Sequence, residues 1–583
     1  MKFLLAAVNA KFIHSNPAVY SLRGYARERM KQSDIDIAEF TVNEPREGIL
    51  RALYKRRPDV LAFSCYIWNI QRIGELLPDI RKILPETDIW LGGPEVSFRA
   101  PELLRDYPFL AGIMAGEGEE TFYRLVQCYE KTGSTLSQTG TSPESSAVTR
   151  EKPDFSGLSG VCLKGFTEKD IRPVKPLFMD DLPFFYEEYG NTPDLGPFAN
   201  RILYYETSRG CPFRCSYCLS SVEKSLRFRS LEKVFRELRF FLDRKVRQVK
   251  FIDRTFNTDR ERALQIWDFL RENDNGVTNF HFEIAGDLLT DREIECFRKM
   301  RPGLIQLEIG VQSVNPETLK AIDRGTDFTV LAKRVAEIRA LHNIHLHLDL
   351  IAGLPYENME SFRNSFNVLY RMGGNELQLG FLKVLYGTKM AENAADYGIE
   401  RTFLPPYEVL RTRWISYGEL AELKGVEEML ETYGNSGQFT KTLETVLPLF
   451  ESPYGFFKAL SDYYNENGFD LLEPARAKKY EILYAFLRER FPAEDALFKE
   501  LLTYDFVLRE LPKKRLSFFP DYGKEKNFPE FSSDGHGERF RFPLWEADFS
   551  PETKPAENPK ILVFNYKFRD PLTGNAAVKV LPE

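Results

Sequence analysis

Apolar residues in the first 130 positions fall in short runs separated by stretches of helical spacing. The runs Phe3–Val8, Ile35–Val42, Val60–Cys65, Ile89–Gly92 and Gly112–Ala115 predict five strands. Between them, stretches such as Ala18–Met30 and Ile70–Leu84 carry apolar residues every three to four positions, as amphipathic helices do. Strand and helix alternate, so the pattern predicts a doubly wound parallel sheet with helices on its faces. Ligands of such sheets lie beyond the carboxyl ends of the strands. There the chain places two glycine turns, Gly92-Gly93-Pro94 and Gly116-Glu117-Gly118-Glu119.

A second alternation runs from 201 to about 387. Ile202–Tyr205, Val249–Ile252, Phe280–Ile284, Leu304–Val311, His345–Ile351 and Leu377–Leu385 read as strands. Leu231–Val246, Asp259–Asn273, Asp291–Met300, Val330–Leu341 and Ser361–Met372 read as the helices between them. Six such units predict a partial (β/α)6 barrel. Residues 132–155 are rich in Thr, Ser, Gly and Pro and read as a linker. Beyond 400 the pattern becomes mainly helical, with Tyr407–Leu423 and Ala477–Arg490 as candidates. A terminal β-hairpin is expected from Ile561–Phe568 and Ala576–Leu581 around Pro571-Leu-Thr-Gly-Asn575. The expected domains are 1–131, a connecting segment 132–200, a barrel 201–390 and an extension 391–583.

With 583 residues, 43% of them hydrophobic and 14% aromatic, the chain can bury large cores. A net charge of -7 argues against a large nucleic-acid footprint, which needs clustered Lys and Arg. Seven scattered cysteines do not form a disulfide framework and fit a reducing compartment. The apolar start, Met1–Val8, is too short for a signal peptide, and no apolar run is long enough for a membrane span. A cytoplasmic location is the expectation.

The strongest chemical signal is Cys211-Pro-Phe-Arg-Cys215-Ser-Tyr217-Cys218, just after the first barrel strand. Three thiolates bring soft ligands to one point and leave a four-iron cluster one open iron. Structural zinc wants a fourth ligand, and no second CxxC or HxxxH is present. Strand ends of this kind form the catalytic face of βα barrels.

With Tyr217 before its third cysteine, the motif resembles the CxxxCxxC signature of radical S-adenosylmethionine (SAM) enzymes. The span 1–390 resembles the class that carries a cobalamin-binding domain ahead of the SAM barrel. Matching segments are Phe251-Ile-Asp-Arg-Thr-Phe-Asn257, Glu308-Ile-Gly-Val-Gln312-Ser313, Asp349-Leu-Ile351-Ala-Gly353-Leu-Pro355 and Leu385-Tyr-Gly-Thr388. Glu283-Ile-Ala-Gly-Asp287 holds the third-strand position but lacks the usual arginine. In the amino-terminal module the resemblance rests on Asn16-Pro17, Gly92-Gly-Pro94 and Gly116-Glu-Gly-Glu119, without the Asp-x-His-x-x-Gly motif. The extension resembles one found on a branch of this class and names no substrate.

The resemblance implies a [4Fe-4S] cluster on Cys211, Cys215 and Cys218, and SAM on the open iron. It places SAM beside Tyr217, Glu308, Gln312, Ile351 and Gly353. It places cobalamin beside Asn16, Gly92, Gly93, Pro94, Glu117 and Gly118, without a histidine on cobalt. The implied activity is reductive SAM cleavage to a 5′-deoxyadenosyl radical followed by methyl transfer to an unactivated carbon. An electron donor such as flavodoxin or ferredoxin and a small-molecule or lipid-like substrate go with it. Radical cyclisation or rearrangement shares every motif. A tRNA methylthiotransferase would need a second cysteine cluster, which Cys65 and Cys128 cannot build. A non-catalytic metal-binding module is the remaining alternative.

Blander readings stand beside these. Cys65, Cys128, Cys162 and Cys296 read as packing residues. His14 reads as a loop histidine, although it follows the first strand. His345, His347 and Asp349 share one strand face, lining either a cavity or ordinary packing. Glu117 and Glu119 suit the start of the following helix. The tail aromatics read as core or interface.

Overall fold

A computed structural model describes every residue except 32, 135–152, 224, 511–515, 520–536, 543–559 and 582–583. Most of the expected linker therefore lies outside the described residues. The chain forms two compact units. One comprises Met1–Glu283, Lys383–Asp396 and Glu400–Val409, the other Ile284–Leu382, Tyr397–Ile399 and Leu410–Glu583.

The first unit opens with β1 (Lys2–Asn9), α1 (Pro17–Arg29), β2 (Asp34–Thr41), α2 (Arg46–Arg56) and β3 (Val60–Ser64). It continues with α3 (Ile70–Ile83), β4 (Asp88–Gly92), α4 (Pro94–Ser97), α5 (Ala100–Asp106), β5 (Gly112–Met114) and α6 (Glu119–Ser134). The strand order is β2-β1-β3-β4-β5, closed by the short antiparallel β6 (Val161–Cys162). β1 and β3 are buried on both faces, which is why their sequences are apolar without alternation. Winding reverses between β1 and β3, and that switch point opens a crevice at their carboxyl ends. Asn69 pins it: its Nδ2 donates to Val8 O at 3.0 Å and to Ser64 O at 2.9 Å.

Gly93, after β4, has φ +111, and a Cβ there would lie 2.5 Å from Cys65 O. The turn therefore needs glycine for backbone approach alone. Cys65, Cys162 and Cys296 are buried, and Cys128 is half-buried on α6, consistent with packing. Burial pushes the Cys162 thiol up to about 11.

The first half of the barrel also belongs to this unit. It contains β7 (Leu203–Tyr205), the two-residue β8 (Ser208–Arg209) and β9 (Arg227–Phe228), α7 (Leu231–Asp243), β10 (Gln248–Phe251), α8 (Arg260–Glu272) and β11 (Asn279–Ile284). β10 pairs in parallel with β7 on one side and β11 on the other.

The second unit carries α9 (Asp291–Arg298), β12 (Ile305–Gln312), α10 (Pro316–Ala321), α11 (Phe328–Arg339), β13 (His345–Ala352), α12 (Met359–Met372) and β14 (Glu376–Phe381). β13 pairs in parallel with β12 and β14. The outer edge of β14 is closed by a side chain. Leu377 N donates to Asn435 Oδ1 at 3.0 Å, and Asn435 Nδ2 donates back to Leu377 O at 2.9 Å. Asn435 ends a π-helical turn, Leu430–Asn435, and its amide takes the hydrogen bonds another strand would take.

The expected helix from Tyr407 begins instead at Tyr417. Ser416 and Glu419 form a capping box there, and Val409–Arg411 before it is extended. Helices Pro453–Glu466, Arg476–Arg490 and Asp495–Arg509 follow. Tyr433, Phe439, Tyr480, Phe506 and Phe518 stack among them, so these aromatics are core. The terminal hairpin forms from Lys560–Arg569 and Ala576–Leu581, and Gly537–Phe542 adds a third antiparallel strand.

Glu357 is buried in the turn before α12. Its Oε1 accepts from Ser313 Oγ at 2.6 Å and Ser365 Oγ at 3.0 Å. Burial raises its carboxyl to about 7 despite those two bonds.

Two predictions follow from this packing. Gly93→Ala should destabilise the protein by about 1–3 kcal/mol in denaturant unfolding, because it forces both a clash and a left-handed alanine. For Glu357, folding favours the protonated form, so its contribution is full below the unfolded carboxylate range and fades as pH rises toward about 7. Glu357→Gln stays neutral throughout. Its stability relative to the parent should improve from pH 4 to pH 8 by on the order of 2–3 kcal/mol at most. A difference independent of pH would contradict this.

Candidate functional site

The cysteine motif follows β7 on a loop with little regular structure of its own. Its neck is the β8–β9 ladder, in which Ser208 faces Phe228 and Arg209 faces Arg227. Gly210, φ +101, lets the loop close, since a Cβ there would meet Ser225 O at 2.0 Å. Arg214 Nη1 donates to Cys211 O, Ser221 O and Glu223 O at 3.4, 3.4 and 3.2 Å. Ser221 Oγ donates to Cys218 O at 2.7 Å. Met390 N donates to Ser216 O at 2.8 Å, so the Leu385–Thr388 segment leads directly to the loop.

None of the three cysteines is in a disulfide; Cys215 is buried, and Cys211 and Cys218 are half-buried. Cys211 Sγ lies 3.6 Å from Thr255 Oγ1, whose hydroxyl donates to Arg254 O at 2.8 Å. Among the described residues, no three His, Cys, Asp or Glu side chains are gathered to hold a single metal ion. Three soft thiolate donors on one loop are the set a four-iron cluster takes with one iron left open. Tyr217 is half-buried within the same loop.

Asp253, at the end of β10, supports the stem of the loop. Its carboxylate accepts from Thr207 N at 2.9 Å, Thr207 Oγ1 at 2.6 Å and Ser208 Oγ at 2.6 Å. Burial raises it to about 6, opposed by those bonds. The sequence reading matched this segment but gave Asp253 no role. A carboxylate directly after the apolar pair Phe251-Ile252 was the available signal.

A cavity of about 760 Å³ lies at the strand ends of the first unit. The amino-terminal module contributes Ser64, Tyr66, Gly92, Gly93, Pro94, Ser97, Gly116, Glu117, Gly118 and Glu119. The barrel side contributes Tyr204, Arg209, Gly210, Leu219, Ser220 and Arg254, which reach both flanks of the cysteine motif. Five of the six residues expected near cobalamin thus line one cavity. Asn16 does not; it caps α1 by accepting from Val19 N and donates to Ser64 Oγ at 3.3 Å. The lining contains no histidine. His14 Nδ1 instead lies 2.6 Å from Tyr204 Oη.

An ionic network crosses the cavity wall and was not anticipated as such. Arg209 donates to Glu117, Glu119 and Glu206, and Arg227 donates to Glu117. Glu119 begins α6 and also accepts from Ser21 Oγ at 3.0 Å. Burial would raise the Glu119 carboxyl, but Arg209 overrides this and lowers it.

In the second unit, β12 and β13 set Glu308 opposite His347 and Gln312 opposite Leu350, with Ile351 and Gly353 just beyond. Gln312 is buried with φ +73, and its Oε1 has no hydrogen-bond partner. A strained backbone and a buried amide oxygen without a partner thus coincide at this strand end. Gly353 has φ +87, which favours glycine. His345, His347 and Asp349 occupy the half-buried face of β13. His347 Nε2 lies 3.4 Å from Asp349 Oδ1, and His345 Nε2 3.3 Å from Glu376 Oε1. The two histidines sit toward the amino-terminal end of the strand, away from Gly353.

Three family models match in order along the chain. They are the B12 binding domain at residues 4–126, the radical SAM superfamily at 205–369 and "Protein of unknown function (DUF4080)" at 395–544. The chain is 26% identical over 348 residues to the cobalamin-dependent radical SAM methyltransferase TokK of Streptomyces tokunonensis, covering 58% of this chain and 47% of that protein. It thus spans about half the length of the curated relatives it matches first. Among solved structures, the cobalamin-dependent SAM radical enzyme OxsB, with aqua-cobalamin and SAM bound, aligns with a TM-score of 0.58 at 14% identity, over 86% of this chain and 78% of that one. The methyltransferase TsrM of Kitasatospora setae, with cobalamin and a [4Fe-4S] cluster bound, aligns with a TM-score of 0.51 at 16% identity, over 69% and 76%. The chain thus carries, in order, a B12-binding domain, a radical SAM domain and a DUF4080 domain.

Proposed function

We propose that this protein is a cobalamin-dependent radical SAM enzyme that methylates an unactivated carbon. The observation that carries the reading is one cavity walled on one side by the B12-type strand ends and on the other by the neck of a three-cysteine loop. Cys211, Cys215 and Cys218 would hold a [4Fe-4S] cluster. When bound, the cluster and SAM would supply a 5′-deoxyadenosyl radical, and cobalamin the methyl group. The chain's own residues bind, orient and exclude water. Gln312 Oε1 would accept a hydrogen bond from SAM, Glu308 its ribose or ammonium, and Gly353 would admit the adenine face.

A cavity of this volume suits a cofactor-sized ligand. Its glycine turns leave backbone open to a flat corrin, and its histidine-free lining supports binding without a protein ligand on cobalt. The reductant would be a flavodoxin- or ferredoxin-like donor. The substrate would be a small or lipid-like molecule. No helix among the described residues is long and apolar enough to cross a membrane.

Anaerobic reconstitution should yield about four irons per chain and one cobalamin. Any single Cys211, Cys215 or Cys218→Ala change should abolish reductive SAM cleavage. The cob(II)alamin form should show no nitrogen coupling from a lower ligand in electron paramagnetic resonance. Label from the SAM methyl group should appear in product; unlabelled product would favour cyclisation or rearrangement instead.

Gln312→Ala should weaken SAM binding about tenfold, equivalent to about 1.4 kcal/mol, with iron content unchanged. Unaltered SAM affinity would remove Gln312 from the site.

A further inference from the structure

Arg209 and Arg227 are directly opposed on the β8–β9 ladder. Like charges so placed repel each other and would open the neck of the cysteine loop. Here carboxylates answer them, Glu119 and Glu206 at Arg209, Glu223 at Arg227, and one that serves both. Glu117 of the amino-terminal module lies against both, with Arg209 Nη1 3.3 Å from its Oε2 and Arg227 Nη1 3.3 Å from the same oxygen. Arg227 Nη2 also donates to its Oε1. The three side chains are mostly buried, with exposures of 12% for Glu117, 19% for Arg209 and 15% for Arg227, so solvent screens them weakly.

The acidic loop has a second face. Gly116, Glu117, Gly118 and Glu119 all line the cavity, whereas Arg227 does not. Gly116 and Gly118 flank Glu117, and Gly116 adopts φ +84, so the loop backbone has the freedom to adjust to what fills the cavity. A ligand that fixes this loop fixes Glu117, and with it the two arginines at the base of the cysteine loop.

We propose that Glu117 is a positioning residue that, through Arg209 and Arg227, ties occupancy of the cobalamin cavity to the order of the cysteine loop. The role rests on the cobalamin reading above. It gives the chain a way to tighten its iron–sulfur loop further once the methyl-bearing cofactor is in place. Substrate radical formation without a methyl donor would then be suppressed. Glu117 and Arg227 need touch neither substrate nor reacting atoms for this.

The test reads the loop directly, without turnover. Full-length protein free of iron is titrated with hydroxocobalamin, and backbone hydrogen exchange is followed across residues 211–223. In the parent, cobalamin should slow exchange there at least tenfold. With hydroxocobalamin at saturation, loop exchange in Glu117→Ala should change less than twofold. Arg227→Gln, altered outside the cavity lining, should uncouple the two in the same way, and Glu117→Asp should restore part of the protection. If Glu117→Ala does not fold, Arg227→Gln decides the matter. Equal protection in Arg227→Gln and parent overturns the proposal, as does a parent loop indifferent to cobalamin. Loss of cobalamin binding in Glu117→Ala with coupling intact in Arg227→Gln makes Glu117 a corrin contact instead, and also overturns it. A parent that takes up no cobalamin defeats the cobalamin reading itself, a distinct result seen before any variant is made.

Discussion

A loop that presents three thiols within eight residues has no room for a core of its own. It must be held from its base, and the structure does this with buried charge. Asp253 gathers three donors from Thr207 and Ser208 at the stem. Arg214 closes the loop on its own carbonyls, and Glu117 stands between Arg209 and Arg227. Removing one partner of such a buried set leaves an uncompensated charge, which costs far more than an exposed pair contributes. The neck is therefore fixed more firmly than its two-residue strands suggest.

The same neck explains how two ligand-binding architectures share one cavity. A doubly wound sheet offers a crevice at its switch point, and a βα barrel offers the carboxyl ends of its strands. Each is a general solution with no commitment to chemistry. In the first unit the acidic turn before α6 and the ladder around the cysteines line a single space, so a group bound at the sheet faces the loop that bears the thiols.

The partial barrel raises a different problem, an open sheet edge. Natural sheets cover such edges or interrupt them. Here a π-helical turn lowers Asn435 onto Leu377, and one side-chain amide replaces a strand. The carboxy-terminal helices therefore bear on the barrel even though they carry no chemical motif. Their dense aromatic packing answers the excess of Phe and Tyr in the tail.

The alternation of apolar runs and helical spacing was enough to establish the βα order of both architectures, because burial on both faces leaves an apolar run in β1 and β3 and burial on one face leaves period-two alternation in β12 and β13. The spacing of Cys211, Cys215 and Cys218 was legible for a similar reason: it is local, and a motif of eight residues states it whole. The start of the helix at Tyr417 was misplaced because apolar spacing continues through Val409–Arg411, while the capping box at Ser416 and Glu419 decides the boundary. What no local pattern carried was which distant charges meet. Glu117 was read as a cobalamin neighbour or a helix-start acid, and Asp253 as part of a strand motif. Their actual partners, Arg209 and Arg227 for one and Thr207 and Ser208 for the other, lie tens of residues away. Periodicity records the face a residue occupies, but the pairing of buried charges depends on which segments the fold brings within hydrogen-bond reach, and only the tertiary structure decided that.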